Sequence, residues 1–348
     1  MKPKIKELVI RFLPYALIIS GLFLTVSAPL SFYSNSNLSV SDYSAKALNE
    51  TSVFISDNHT IGGDVSVDFS ASQPITPLKR KMKIDSVELT ATAVEVVDFE
   101  SGQVLFSKNN DQARPLASIS KLMSAMVLLD LPIDWSATTT IESIDGNSDQ
   151  IVLLGEEFTL EDLWHSALVG SSNKALKAII RASNFNLEDF VDRMNKKAVE
   201  LGLKSMKFAD PTGLSPQNIG HAQDTTKLLK QALRFEKIYK TLNLREHYAK
   251  PLNGEKLRLV WSTDWLLTGW TSSDFNSNEI VGKTGYIPES DYNFVVSLKN
   301  PNNGRQILVA VLGSKTNEKR YEEARDIAEW AFAQYAWPGD DGYEDLVE

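Results

Sequence analysis

Arg114-Pro115-Leu116-Ala117-Ser118-Ile119-Ser120-Lys121-Leu122-Met123 is the stretch on which the reading of this chain turns. From Ser118 to Leu129 the spacing predicts a helix. Ile119, Leu122, Met123, Ala125, Met126, Val127, Leu128 and Leu129 cover nearly every face of it, the mark of a buried helix. Lys121 is out of place there. Ser118 and Lys121 are three residues apart, so they lie on one face, one turn apart. A serine hydroxyl is a poor nucleophile until a neighbour takes its proton. A lysine can do this only if burial or a second cation lowers its pKa. A helix starting at Ser118 also leaves free backbone N–H groups, suited to an oxyanion.

Ser-x-x-Lys is a short pattern, and the chain holds it twice, the second time at Ser171-Ser172-Asn173-Lys174. That match opens a helix with mixed faces, so Lys174 is expected in solvent and Ser118 is the better nucleophile. Ser171 and Asn173 acquire a role beside the first pair. In a loop between helices, Ser171 can pass a proton to a departing amine and the Asn173 amide can hold a substrate backbone. Either could instead cap a helix. Lys283-Thr284-Gly285, the one K-T-G in the chain, falls in a predicted strand. Lys283 would bring positive charge to a substrate carboxylate, and Thr284 a hydroxyl. Gly285 would let a substrate backbone run along the strand edge. The Tyr286 N–H would join the Ser118 N–H as the second oxyanion donor. A plain edge strand ending at a turn is the alternative for K-T-G alone. In this order, on helix, loop and strand, the three motifs form the set found in serine acyl-transfer enzymes that react with penicillins.

A chain of 348 residues, 43% hydrophobic and 23% charged, can bury a substantial core in one large or two small domains. Its net charge of −9 argues against a nucleic-acid partner. No cysteine is present, which excludes disulfides and thiolate metal sites. His59, His165, His221 and His247 read as isolated, so no Cys/His cluster has metal-ligand spacing.

Residues 1–11 are basic, with Lys2, Lys4, Lys6 and Arg11 against Glu7, and residues 12–33 carry no charge. That apolar run is long enough for a membrane-spanning signal anchor, its basic flank in the cytoplasm and the rest outside. Val26-Ser27-Ala28 would suit a cleaved signal peptide, although Pro29 follows directly. Both readings place the bulk of the protein on the extracytoplasmic side, either anchored or secreted. Residues 34–85, rich in Ser, Asn, Thr and Asp, read as a flexible polar stalk, with short strands conceivable at 53–55 and 65–69.

The folded unit is expected from about Val87, over residues 86–337. Strands are predicted at 93–99 and 103–107, joined at Glu100-Ser101-Gly102. Helices follow at 159–169, 174–182, 187–201 and 224–234, with Thr159 as a cap answered by Asp162. Strands return at 279–284, 293–299 and 305–312, before a closing helix at 318–335. Strands at both ends with helices between imply an α+β domain, its antiparallel sheet built from both termini. Residues 338–348 form an acidic tail.

At these residues the chain resembles the bacterial penicillin-binding D-alanyl-D-alanine carboxypeptidase and endopeptidase family. The likeness takes in residues 114–123, Gly155-Glu156, Thr159-Leu160-Glu161-Asp162-Leu163, Asp210-Pro211-Thr212-Gly213-Leu214 and Gly282-Lys283-Thr284-Gly285-Tyr286, across about 87–337. The resemblance implies a β-lactamase-like fold: a five-stranded antiparallel sheet flanked by helices, with an inserted, mostly helical subdomain. It implies hydrolysis of D-Ala-containing peptide bonds in peptidoglycan stem peptides through an acyl-serine, with β-lactam antibiotics as covalent inhibitors and no cofactor. Ser118 would be the nucleophile, Lys121 its base and Ser171 the relay. Asn173, Lys283, Thr284 and Gly285 would line the substrate, with the Ser118 and Tyr286 N–H groups as oxyanion hole. Many carboxypeptidases of the family continue into a β-rich domain and a membrane-binding helix. Here the acidic tail follows, a layout closer to the endopeptidase branch. A β-lactamase shares the fold but needs a second base, and no Glu-x-x-Leu-Asn run stands between Asn173 and Lys283. A non-catalytic penicillin sensor would need a signalling domain, which residues 1–11 cannot form.

Overall fold

The computed structural model describes residues 76–347, apart from Lys83 and residues 146–148. The basic segment, the apolar run and the strands conceived at 53–55 and 65–69 lie outside the described residues. Among the described residues, no helix is long and apolar enough to cross a membrane.

Strands β1 (Ala93–Asp98) and β2 (Val104–Lys108) form a hairpin. β3 (Val281–Ile287), β4 (Asp291–Lys299) and β5 (Gln306–Ser314) return from the far end of the chain. Together they make one sheet in the order β3-β4-β5-β1-β2, antiparallel throughout, as expected. In β5, Ile307, Val309 and Val311 enter one core, while Leu308, Ala310 and Leu312 enter the other. Successive strand side chains point to opposite faces, so a strand covered on both sides must be apolar at every position. β3 lies at the edge.

The α-helices among the described residues are α1 (Lys121–Leu129), α2 (Leu160–Leu168), α3 (Asn173–Ala182), α4 (Leu187–Glu200), α5 (Ala222–Ala232), α6 (Glu236–Leu242), α7 (Trp265–Thr268), α8 (Lys319–Gln334) and α9 (Glu344–Val347). Residues of α1 to α6 share one core with Ala93, Val295 and Leu308 of the sheet. α8 closes the opposite face with Tyr321, Ala324, Ile327, Ala328 and Ala331, an apolar stripe at helical spacing. Thr159 caps α2 as expected, its Oγ1 accepting from Asp162 N at 3.1 Å.

Two expectations change. The chain is already ordered ahead of residue 86: Leu78–Lys79 pairs with Tyr335–Ala336, and the Gln334 amide donates to the Arg80 and Met82 carbonyls at 3.0 and 2.9 Å. The end of the supposed stalk is therefore pinned to the domain by backbone pairing that its polar composition does not reveal. The acidic tail is also tied down, with Asn303 Nδ2 donating to Asp340 Oδ1 at 2.9 Å and Tyr343 Oη to the Thr76 carbonyl at 3.0 Å. Finally, His165 and His247 are not isolated. Their ring centroids are 4.9 Å apart, and His247 Nε2 lies 2.5 Å from Asp162 Oδ1. They meet because the ribbon of Glu246–Ala249 and Arg258–Trp261 packs against α2.

Candidate active site

The Ser118 segment is not the first turn of an α-helix. Ala117–Ser120 forms a 3-10 turn, and α1 begins at Lys121. Two glycines explain the tighter turn. A Cβ on Gly213, whose φ is +90°, would lie 1.9 Å from the Ala117 carbonyl oxygen. A Cβ on Gly285 would lie 2.6 Å from the Leu116 carbonyl oxygen and 3.2 Å from Ser118 N. Gly285 therefore makes room for the Ser118 turn itself, not for a substrate backbone alone as its sequence suggests. Clamped between the loop and β3, Ala117 takes a left-handed φ of +50°, strain of a kind that collects at functional sites.

Lys121 is fully buried. Its Nζ lies 2.9 Å from Ser118 Oγ, 2.5 Å from Asn173 Oδ1 and 2.9 Å from the Thr212 carbonyl oxygen. The last two groups only accept hydrogen bonds. When the amine is neutral, these two can take both of its N–H bonds, which leaves the lone pair for the Ser118 hydroxyl. Burial lowers the Lys121 pKa to about 7; Asp210 and Asp149 oppose the shift and Lys177 adds to it. The amine is thus poised to take a proton near neutral pH.

The Ser171–Asn173 corner joins from the start of α3. Its cap is Ser172, whose Oγ accepts from Ala175 N at 3.1 Å and donates to Asp149 Oδ2 at 3.0 Å. Ser171 and Asn173 are therefore free of capping duty. Ser171 has a φ of +62°, and its Oγ accepts from Lys283 Nζ at 2.9 Å. Lys283, also buried, has its pKa pushed well below the ordinary lysine value by burial first, then by Lys121 and Arg320, against Asp264. Lys283 reaches Ser171 and Lys121 reaches Asn173, two residues on, so both amines serve one corner. Thr284 Oγ1 lies 2.6 Å from Thr263 Oγ1, and the exposed Tyr286 ring stacks on Tyr292 at 4.4 Å. Lys174, expected in solvent, is buried. Its helix is amphipathic, and the lysine falls on the inner face beside Ala175 and Ala178.

Several contributors carried no role in the sequence reading. Asp210 Oδ1 accepts from Thr212 N, Thr212 Oγ1 and Gly213 N at 2.7, 2.6 and 2.9 Å, and Oδ2 accepts from Ser215 N at 2.7 Å. This folds the loop so that the Thr212 carbonyl reaches Lys121. Asn218 Nδ2 binds Ser120 Oγ and the Asp210 carbonyl at 2.9 and 2.7 Å, joining the loop to the nucleophile turn. Asp-Pro-Thr-Gly is a side-chain-closed turn signature that could have pointed to the loop. Asp149 Oδ2 also takes the Asn173 and Lys174 N–H groups at 3.1 and 3.3 Å; nothing in its local sequence signals this. Behind the loop, a cleft of about 570 Å³ is lined by residues including Lys177, Val191, Asp192, Thr212 and Leu214.

The arrangement can activate a serine, hold a carbonyl close to it and deliver protons through a second serine. A family model described as D-alanyl-D-alanine carboxypeptidase matches residues 79–316. The D-alanyl-D-alanine carboxypeptidase DacF of Bacillus subtilis is 29% identical over 255 residues, 70% of this chain and 63% of the relative. The chain thus spans less than two thirds of that relative's length. A D-alanyl-D-alanine endopeptidase of Haemophilus influenzae is 32% identical over 236 residues, 66% of this chain and 78% of the relative. Among solved structures, penicillin-binding protein D2 of Listeria monocytogenes in its cefotaxime-bound form superposes with a TM-score of 0.61 at 24% identity, covering 72% of this chain and 100% of that one. That likeness bears out the β-lactamase-like, DD-peptidase fold. With its model matched over well more than half of the residues, the chain belongs to the D-alanyl-D-alanine carboxypeptidase family.

Proposed function

We propose that the chain is a serine DD-peptidase that hydrolyses D-Ala-containing peptide bonds of peptidoglycan stem peptides. The observation that carries this reading is the buried contact of Lys121 Nζ with Ser118 Oγ, at a lysine pKa of about 7. Neutral Lys121 takes the Ser118 proton as Oγ attacks the D-Ala carbonyl carbon. The resulting oxyanion is held by the Ser118 and Tyr286 N–H groups. The C–N bond then breaks, and the leaving amine takes a proton from Ser171, which is resupplied through Lys283 and Lys121. Lys121 takes a proton from water as the water attacks the ester carbonyl; the bond from Ser118 Oγ to the acyl carbon then breaks, and Lys121 passes that proton to Oγ, which frees the acid and restores the enzyme. Asn173, Lys283, Thr284 and the edge of β3 hold the substrate backbone and carboxylate, as edge strands hold peptides.

A β-lactam acylates Ser118 by the first half of this path. The fold shared with the cefotaxime-bound Listeria protein supports this. Relatives of both names, carboxypeptidase and endopeptidase, support the bond class and leave two leaving groups in play. The catalytic unit lies on the extracytoplasmic side, where its substrate is, tethered by residues 12–33 or released by their cleavage. Incubation with crosslinked and uncrosslinked muropeptides tests the reading. Free D-Ala marks the carboxypeptidase, dimer-to-monomer conversion the endopeptidase, and neither product refutes both.

A further inference from the structure

Beside the K-T-G strand the surface carries two large exposed rings that the reaction does not use. Trp261 and Trp270 are 45% and 56% exposed, with ring centroids 5.8 Å apart and planes inclined by 50°. The two faces form an open corner, and it is rigidly backed. Trp270 meets Trp265 edge to face at 5.6 Å; Trp265 stacks on Tyr321 at 5.3 Å; Tyr321 Oη donates to the Thr263 carbonyl at 2.5 Å. The loop after α7 is closed by Thr271 N donating to the Trp265 carbonyl at 3.0 Å. Rings held this way lose little freedom on binding.

The corner is continuous with the candidate site. Thr263, bonded to Thr284, stands two residues after Trp261, at most about 7 Å of backbone. Thr263 N also donates to the Val169 carbonyl at 3.2 Å, next to the Ser171 loop. The corner therefore adjoins the Thr284 side of the candidate site, the side that the proposed mechanism sets against the substrate carboxylate. Across the ribbon from Trp261 stands Glu246. A carboxylate there opposes an anionic bilayer, but it can accept hydrogen bonds from the hydroxyl and amide rim of a sugar whose apolar C–H face covers the rings.

We infer that Trp261 and Trp270 bind an N-acetylated amino sugar of the glycan strand that carries the leaving peptide, so that the enzyme favours crosslinked, glycan-borne substrate over short peptides. The inference rests on the DD-peptidase reading for its substrate, but the saccharide contact can be measured without turnover. The test is isothermal titration of the full chain with tetra-N-acetylchitotetraose, run in parallel with cleavage of crosslinked glycan-linked muropeptide and of a short D-Ala-D-Ala peptide. Trp261→Ala and Trp270→Ala are each expected to weaken saccharide binding by about tenfold, the size of one aromatic contact. They should lower kcat/KM on the glycan-linked substrate by a similar factor and leave the short peptide and penicillin labelling unchanged. No saccharide binding by the parent chain, or binding equal in both variants, overturns the inference. So does loss, in the variants, of binding to phosphatidylglycerol vesicles in place of sugar. Failure of the parent chain to take penicillin or cleave either substrate would instead refute the DD-peptidase reading, and the titration would still decide the saccharide contact.

Discussion

Asn173 Oδ1 and Lys121 Nζ are 2.5 Å apart although 52 residues separate them in the chain. That contact joins the Ser-x-Asn corner to the Ser-x-x-Lys turn, and with the Thr212 carbonyl it fixes which way the lysine lone pair points. The account makes Lys121 a base that works only when neutral.

Acylation should therefore follow the Lys121 titration. Below pH 7 the amine is protonated and cannot take the Ser118 proton; above it the amine is neutral. The second-order rate of acylation by benzylpenicillin should rise with pH and reach half its plateau near the Lys121 pKa of about 7. Stopped-flow or gel-shift kinetics between pH 5 and pH 9 measure it, and a flat profile counts against the assignment.

Asp210 stabilises the protonated amine, since its charge raises the Lys121 pKa against the larger effect of burial. Asp210→Asn keeps an acceptor for the loop but removes that charge. The midpoint of the acylation profile is expected to move to lower pH by roughly half a unit to one unit. An upward move, or none in a folded variant, contradicts the electrostatic role.

Gly213 faces the Ala117 carbonyl with no room for a side chain, at a φ of +90°. Gly213→Ala must displace either the loop or the nucleophile turn. It should cost about 3 kcal/mol or more of stability and reduce acylation in the folded fraction at least tenfold. Chemical denaturation and penicillin labelling check the two effects separately.

The linkage of Lys121 to folding has a definite sign. The unfolded lysine keeps its proton up to the ordinary lysine value of 10.5, while the folded one gives it up at about 7. Between those values the unfolded state binds more protons, so this group makes stability rise with pH. Lys121→Met lacks that gain and is inert towards penicillin. The melting temperature of the parent chain should therefore climb relative to the variant from pH 7 to pH 10, and a constant difference would contradict the shift.

Much of this was legible in the sequence, for physical reasons. The unbroken apolar run of Ile307 to Leu312, the apolar wrap of α1 and the stripe on α8 are patterning signals, and the layered core follows from them. Ser118, Lys121, Ser171, Asn173 and Lys283 stood out because three short motifs fall in one order on helix, loop and strand, with Lys121 the one charge in an apolar helix. The parts that escaped depend on tertiary contact. Lys174 reads as a surface lysine until its helix is docked. Asp149 acts through its carboxylate on the Ser172 hydroxyl and on amides more than twenty residues away, and Thr212 through its main-chain carbonyl; neither contact shows in the local sequence. The pairing of Leu78–Lys79 needs Tyr335–Ala336, more than two hundred residues on.

The most direct measurement is mass spectrometry of the full chain after incubation with benzylpenicillin, followed by peptide mapping. The account predicts one covalent adduct, on Ser118, absent from Ser118→Ala and from Lys121→Met at pH 8. An adduct on Ser171 or elsewhere, or labelling that persists in Ser118→Ala, would contradict it.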